Sequence, residues 1–588
     1  MNTICVNQRK IKKYPSKTQL FRPHIAYPEY IFKDDISSEF NEVYDMVREC
    51  FNMLGMDVEN FGHKKWNPFN QIIKPGNTVL IKPNLVLDVN GNNCGEDCLY
   101  TNPSLVAAVI DYVLIALNGS GKVIVGDAPL QECNFNKLVE ESGYLELINY
   151  YKGKGIDVEL VDFRNVKTYV KDGVHYMQAE EQDSGVIVHL DEKSAFNGMS
   201  ENHIKNLRIT NYDPRILQNH HDVNHHEYNV AKYILDADVI INMPKPKTHR
   251  KAGVTIALKN LVGINANKEF LPHHTLGGKE EGGDAYLNGN DYLSLANQVL
   301  DIKNRLVHDE QMECAKAAEQ LYQSLVRIGR RESKEEYWEG SWYGNDTIWR
   351  TILDLNRILL YADKKGVIQK ETQRKSFIVA DMIVSGQKEG PLTPVPIYSN
   401  VIAMGQDPLW FDRVICSLMG FDYKSIPTLF NKQLDKTDLP ITENNDYCIL
   451  SNNELWNNKS IEYILENASL EFEPTYGWLK KLGNRHRKRM ISTIKKEKGQ
   501  VYIFGAGFNG IYAAGVLMEE SIEIKGFVDN SPNLWGIEII PNVTCTDPGE
   551  LDKNALVVIA VTDKHVSEIE SQLRKYDVKV MGVINKGL

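Results

Sequence analysis

Ala237–Gly263 reads ADVIINMPKPKTHRKAGVTIALKNLVG. The apolar run Ala237–Ile241 has the length and β-branched content of a buried strand. It empties at once into Lys245, Lys247, His249, Arg250 and Lys251, all in one turn. Stability alone does not explain such crowding of cations. In an open α/β sheet, ligands sit beyond the carboxyl ends of the strands. The turn is therefore the first candidate site, and its charge points to an anionic ligand.

Working outward, strands alternate with helices. NTVLIKPNLV (77–86), GKVIVGDAP (121–129) and IDVELVDF (156–163) read as strands; NPSLVAAVIDYVLIALNG (102–119) and YLELINYYKGKG (144–155) have helical periodicity. SFIVADMIV (376–384) is a later strand. This alternation predicts an α/β fold with a large, mostly parallel sheet over 76–478, carrying a helical insertion at 295–370. Residues 1–75, with one helical segment at 37–55, read as a lead-in. Residues 479–499 form a strongly basic segment, read as a solvated linker helix; contact with a membrane surface or polyanion through 479–498 is the alternative.

Residues 500–588 have their own signature. VYIFGAGFNGIYAAGVL is a strand, a turn holding Gly505, Gly507 and Gly510, and a helix; IEIKGFVDN supplies a second strand ending at Asp529. Glycines at this spacing permit a tight turn, the approach of a phosphate and close helix packing, and an acid about 20 residues on suits a ribose. A small Rossmann-like domain is expected here, with NAD or a nucleotide-sugar as its ligand, or none if it is a scaffold.

The chain has 588 residues, a net charge of -11, 42% hydrophobic and 25% charged residues. These values suit a soluble multidomain protein and argue against nucleic-acid binding. No apolar run reaches transmembrane length, and MNTICVNQRKIKKYPSK lacks the apolar core of a secretory signal, so a cytoplasmic protein is expected. The nine cysteines are scattered, with Cys94 and Cys98 the only close pair. Neither an iron–sulfur cluster nor a cysteine-held structural zinc is expected.

Other polar residues stand at strand ends: Lys82 and Asn84, Asp127, and later Asp381, Glu389 and Asp407. Each has a plain reading as a surface charge, an Asx turn or a helix cap. Several at successive strand ends, beside the cationic turn, favour a site. Lys245, Lys247 and Arg250, with Lys82, Asn84 and Asn260, would hold the anion, and Asp127 and Asp407 would bind a divalent metal. Asp127 is also a candidate catalytic group. Lys259 is a candidate nucleophile or anchor, since nearby cations depress an amine's pKa. His273 and His274 follow in a glycine-rich stretch; either one, with His249, would move protons. Arg350 and Asp354, spaced i, i+4 on a predicted helix, are second-tier substrate residues or a helical ion pair. His221 and His225 share that spacing, as metal ligands can, but their segment is not convincingly helical and reads as a solvated loop.

VLIKPNLV, VIVGDAP, the opening stretch, GSWYGNDTIWRTILDLNRILLYADKKG and GQKEGPLTP with GQDPLWFD resemble, in order, the hallmark segments of domain-of-unknown-function family 362, over roughly 76–425. Some members carry a ferredoxin-type cluster region; this chain lacks those cysteines. The opening stretch is also similar in layout to a segment of the lactate racemase family. There a His is catalytic or metal-binding and a Lys holds a nickel-pincer nucleotide; the resemblance would place these roles on His249 and Lys259. The chain departs from that pattern with Gly126-Asp127-Ala128 in place of Gly-Thr-His, and Ile256-Ala257 in place of a Gly-Gly pair. The C-terminal segment resembles small domains attached to polysaccharide-biosynthesis enzymes. The expectation is an enzyme acting on an anionic, phosphorylated or carboxylated small molecule, with a link to sugar or cell-envelope polysaccharide biosynthesis implied by that last resemblance. A racemase or epimerase, and a non-catalytic nucleotide-sugar sensor or scaffold, are the alternatives; an oligomer is compatible with each.

Overall fold

Val239–Met243 lies inside a sheet of eight strands. In this computed structural model the described residues are 2–11, 13–17, 19–171, 174–179, 185–434, 438–442 and 445–586. Across the sheet the strands are Tyr447–Ser451, Asn2–Gln8, Val401–Gly405, Lys375–Met382, Val239–Met243, Thr78–Pro83, Lys122–Asp127 and Val158–Asp162. Val401–Gly405 runs against both neighbours, and every other pairing is parallel. Ile240 faces one hydrophobic cluster and Ile241 the other. Burial on both faces explains why Val239–Ile241 is continuously apolar rather than alternating.

Helices cover both faces. Ile348–Tyr361 and Pro408–Leu418 pack on one side, Glu42–Met53 and Pro103–Leu117 on the other. The segment 295–370 divides. Asp291–His308 and Met312–Ser333 share a small core of their own, whereas Ile348–Tyr361 belongs to the main sheet. Residues 1–75, read as a lead-in, supply a strand and a helix to the main unit. Phe51 lies 5.0 Å from Phe69, 5.1 Å from Tyr112 and 6.1 Å from Phe377, ring centre to ring centre.

A second sheet has six strands: Glu538–Ile540, Val543–Thr546, Ile524–Val528, Val501–Phe504, Ala555–Ile559 and Val578–Val583. The last five are mutually parallel, and the chain winds outward in both directions from Val501–Phe504. That is a doubly wound order. The basic helix Arg485–Lys496 is docked on this sheet rather than solvated all round: Met490, Ile491 and Ile494 are buried among Val501, Ile503 and Leu517. Three apolar residues among so many cations hid this face in the sequence. Lys388 joins the two units. Its Nζ lies 2.6 Å from Asp563 Oδ1 and 3.0 Å from Asn585 Oδ1, both just beyond carboxyl ends of the second sheet.

The packing of Phe51 yields a test of whether the N-terminal region is integral. Phe51→Ala should cost about 3–5 kcal/mol, the usual range for a buried Phe-to-Ala cavity, read as a lower urea midpoint. A lead-in outside the core would give a change near zero.

Candidate functional site

At the carboxyl edge of the main sheet the polar strand ends form one network. Lys82 Nζ lies 2.6 Å from Asp127 Oδ1, joining adjacent strands through a buried ion pair. Asp127 Oδ2 accepts from Leu85 N at 2.7 Å. Asn260 Oδ1 accepts from Asn84 Nδ2 at 2.8 Å and from Lys82 Nζ at 3.3 Å, while its Nδ2 donates to Asn242 Oδ1 at 2.7 Å. Asn242 in turn donates to the Ala257 carbonyl at 2.9 Å. The short helix Ala257–Asn260 is thereby pinned to the strand ends. Asp412 caps it from another helix, accepting from Ala257 N at 2.8 Å and Leu258 N at 2.9 Å. Gly263 sits against Asp127 and Lys82 so closely that a side chain there would collide with both.

The cationic turn is a hairpin. Lys247–His249 pairs antiparallel with Gly253–Thr255 and parallel with Ser385–Gln387. Its charges divide between core and cavity. Lys245 turns inward, with Nζ 2.9 Å from Asp381 Oδ2 and 2.7 Å from Tyr14 Oη. Tyr14 donates to Asp381 Oδ1 at 2.6 Å, and Asn102 N to its Oδ2 at 2.9 Å. Lys247 also turns inward, to Asn84 Oδ1 at 2.7 Å and the Leu99 carbonyl; burial pushes its pKa down to about 7. These two lysines, expected to bind substrate, are spent on the fold.

His249, Arg250 and Lys251 face a cavity of about 370 Å³, together with Asp127, Lys259, Lys268 and His273. Lys259 has no hydrogen-bond or ion-pair partner among the described residues. Burial, and then Lys82, push its ammonium down to about 8. Roughly a tenth of it is then neutral at pH 7, against a few parts in ten thousand for an ordinary lysine. Lys268 bonds the Ala128 carbonyl at 3.0 Å, and burial lowers its pKa to about 7.

The two cavity histidines have opposite tautomers. His249 Nδ1 accepts from Lys251 N and Ala252 N, each at 3.1 Å, so the ring proton sits on Nε2. Burial, with Lys259 and Arg250 nearby, holds it well below the ordinary imidazole range. His273 Nδ1 donates to the Leu271 carbonyl at 2.6 Å, which leaves a lone pair on Nε2. Burial, Lys251 and Lys259 push its pKa down to about 3. The cavity thus offers a donor at His249, an acceptor at His273, a part-neutral amine at Lys259 and the permanent cation of Arg250.

Other expected residues lie elsewhere. His274 is buried in a two-stranded pairing with Arg208 and does not line the cavity. Arg350 bonds Asp346 Oδ2 at 2.9 Å, not Asp354. Asp354 is buried, taking Ala195 N at 2.7 Å and Tyr228 Oη at 2.9 Å. Asp407 cannot share a metal with Asp127. It follows the antiparallel strand, so it emerges at the opposite edge, beside Asn2 and Thr3, where it caps a helix through Trp410 N at 2.8 Å. Sequence reading missed Glu132, Thr210, Tyr212, Glu339 and Ser341, which wall the cavity from distant parts of the chain. No local pattern marks them.

At the second sheet, Gly505 has φ +109°, and a Cβ there would sit 2.6 Å from the Ala560 carbonyl. Gly507 is open, and no side chain caps the helix Phe508–Glu519 that it begins. Asp529 accepts from Ala506 N and Ser531 N, each at 2.9 Å, and so braces the turn.

A main sheet with a polar carboxyl edge, a lysine-centred cavity and a second doubly wound sheet define an α/β protein with two candidate ligand seats. A family model described as "Domain of unknown function (DUF362)" matches residues 79–190 and 192–417, and the chain belongs to that family. It is similar to the Thylakoid-associated protein sll1697 of Synechocystis sp., 30% identical over 208 residues, covering 35% of this chain and 45% of that protein. It is also similar to the Redox-sensing transcriptional repressor Rex of Thermotoga petrophila, 33% identical over 103 residues, covering 16% of this chain and 48% of that protein. Rex 1 of Thermotoga maritima is 34% identical over 103 residues, with the same coverage. The chain spans about half the length of these relatives. Among the described residues no helix is long and apolar enough to cross a membrane.

The division between core and surface charges is testable by stability. Lys82→Met and Asp381→Asn each leave a buried charge without its partner and should cost about 3–5 kcal/mol. Lys205→Ala breaks an exposed pair with Glu201, one turn away on the same short helix, and should leave the midpoint nearly unchanged. Denaturant midpoints of the three variants separate the two cases.

Proposed function

We propose that the chain is an enzyme whose cavity takes an anionic, carboxylated or phosphorylated small molecule carrying a carbonyl group. The observation that carries this reading is Lys259: a part-neutral amine, without a partner among the described residues, in a cavity it shares with Arg250. Arg250 holds the anionic end of the substrate. His249 donates from Nε2 to a substrate oxygen, and His273 accepts a hydrogen bond from a substrate hydroxyl at Nε2. The Lys259 amine adds to the carbonyl and, on loss of water, forms an imine that anchors the substrate. The racemase alternative draws support from the same lysine but not from His249, whose Nδ1 is taken by two backbone N–H groups and whose Nε2 carries the proton, leaving no lone pair for a metal.

The Gly505–Gly510 turn we read as a nucleotide seat of Rossmann type. Its support is the tight glycine turn, the uncapped helix start and Asp529 at the end of the second strand. Similarity over 103 residues to proteins named as redox-sensing repressors lends support to a redox-linked ligand rather than a nucleotide-sugar. Through Lys388 this sheet's carboxyl edge faces the main unit. Arg250 also borders a second hollow, lined by Tyr476 and Lys586, and Lys586 Nζ lies 5.2 Å from the centre of the Phe508 ring. These contacts favour a reading in which both seats serve one reaction.

Pyridoxal phosphate, a carbonyl compound with an anionic group, probes the main site. After borohydride reduction the peptide containing Lys259 should carry a stable adduct, and Arg250→Ala should raise the concentration needed about tenfold, as loss of one charge-assisted contact does. Modification of surface lysines with Lys259 untouched would overturn the enzymatic reading. Thermal stabilisation by nucleotides alone, lost in Gly507→Asp, would then favour a sensor.

A further inference from the structure

Outside the cavity, we propose that His189, His225 and Glu227 form a site for a divalent metal ion of the zinc class. The strands Gly185–His189 and Glu227–Ala231 pair antiparallel, and the register sets His189 opposite Glu227. His225 precedes that strand in a tight turn, closed by a bridge between His221 and His226. Asp222 Oδ1 fixes the turn further, accepting from Asn224 N and His225 N at 2.8 Å each. The backbone therefore presents the three side chains together before any ion arrives.

Their donor atoms converge. His189 Nδ1 lies 3.0 Å and His225 Nε2 3.1 Å from the same oxygen, Glu227 Oε2. All three donor atoms fall within 4.8 Å of one another. A tetrahedral ion with bonds near 2.0–2.2 Å spaces its ligands about 3.3 Å apart, so small rotations suffice to enclose one. Two imidazoles and a single carboxylate favour zinc, cobalt or nickel over calcium or magnesium, which take mostly oxygen.

A supporting layer is also present. His225 turns its other nitrogen, Nδ1, to Asp191 Oδ1 at 3.2 Å. An acid behind a ligating histidine fixes its tautomer and raises its basicity. His220 Nδ1 holds the second oxygen of Glu227 at 2.6 Å. The His189 side chain is 54% exposed, so an ion can enter and a water can complete its shell. His221 and His225 do not share a helix face, because the helix Pro214–His220 stops short of both. His221 is instead buried against His226 and the Phe270 carbonyl. The His220 ring stacks on Phe270 at 3.6 Å. The supporting layer therefore touches the segment that continues through Leu271 and His273 into the cavity wall.

The test uses full-length protein without a histidine tag, stripped with chelator and titrated with zinc and with cobalt. One equivalent should bind, cobalt should show the visible absorption of a low-coordinate ion, and zinc should raise Tm. Glu227→Gln and His225→Gln should weaken binding at least a hundredfold, and Asp191→Asn roughly tenfold. His189→Gln, at an exposed position, serves if the other variants fail to fold. His273→Gln should leave binding unchanged. Absence of a stoichiometric ion, or an ion that survives in His189→Gln and His225→Gln but not in His273→Gln, would overturn the proposal.

Discussion

The cavity depends on one buried contact, the ion pair of Lys82 with Asp127. Removing two charges from water costs several kcal/mol for each ion, and mutual attraction offsets that only with good geometry and further hydrogen bonds. Both conditions are met: the pair is 2.6 Å apart, Leu85 N supplies Asp127 with a second bond, and Asn260 accepts from Lys82. Asn260 belongs to the short helix that also carries Lys259. The contact that ties two strand ends together therefore also sets the position of the reactive amine.

Electrostatics then follow from which cations are neutralised and which are left. Lys245 has Asp381 and Lys82 has Asp127, while Lys247 is held by neutral oxygens. Lys259 has no acid in contact; burial and then repulsion from Lys82 lower its pKa, and the more distant Asp127 offsets them only in part. A crowded cationic turn is stable because half of it is absorbed into the sheet. Of the cations left at the cavity, Lys251 and Lys268 are held by carbonyls, whereas Lys259 has no partner among the described residues and stands beside a guanidinium that cannot lose its charge.

Much of this was legible in sequence. The alternation of apolar runs and helical periods foretold the mostly parallel sheet, and the strand-end rule led to Asp127, His249, Lys259 and Asn260. What failed did so because sequence order conceals direction and partners. Asp407 follows a strand, like Asp127, but that strand runs the other way. Lys245 and Lys247 read as ligand cations because Tyr14, Asn84, Leu99 and Asp381, their actual partners, lie far along the chain. Arg350 met Asp346 one turn back instead of Asp354 one turn on. Helix 485–496 read as solvated because its apolar face is only three residues wide. His189 went unnoticed beside the histidine-rich turn, since strand register alone brings it to Glu227.

The central claim is that Lys259 stands apart from the other buried lysines as an available amine. Competitive acylation with an isotopically paired reagent, followed by peptide mass spectrometry across pH 6–11, measures each lysine's reactivity and its midpoint. The account predicts that Lys259 reacts with a midpoint near 8, that phosphate or a carboxylate protects it, and that Lys82 stays unreactive while the protein is folded. A Lys259 that titrates with ordinary surface lysines, or that is as inert as Lys82, would contradict it.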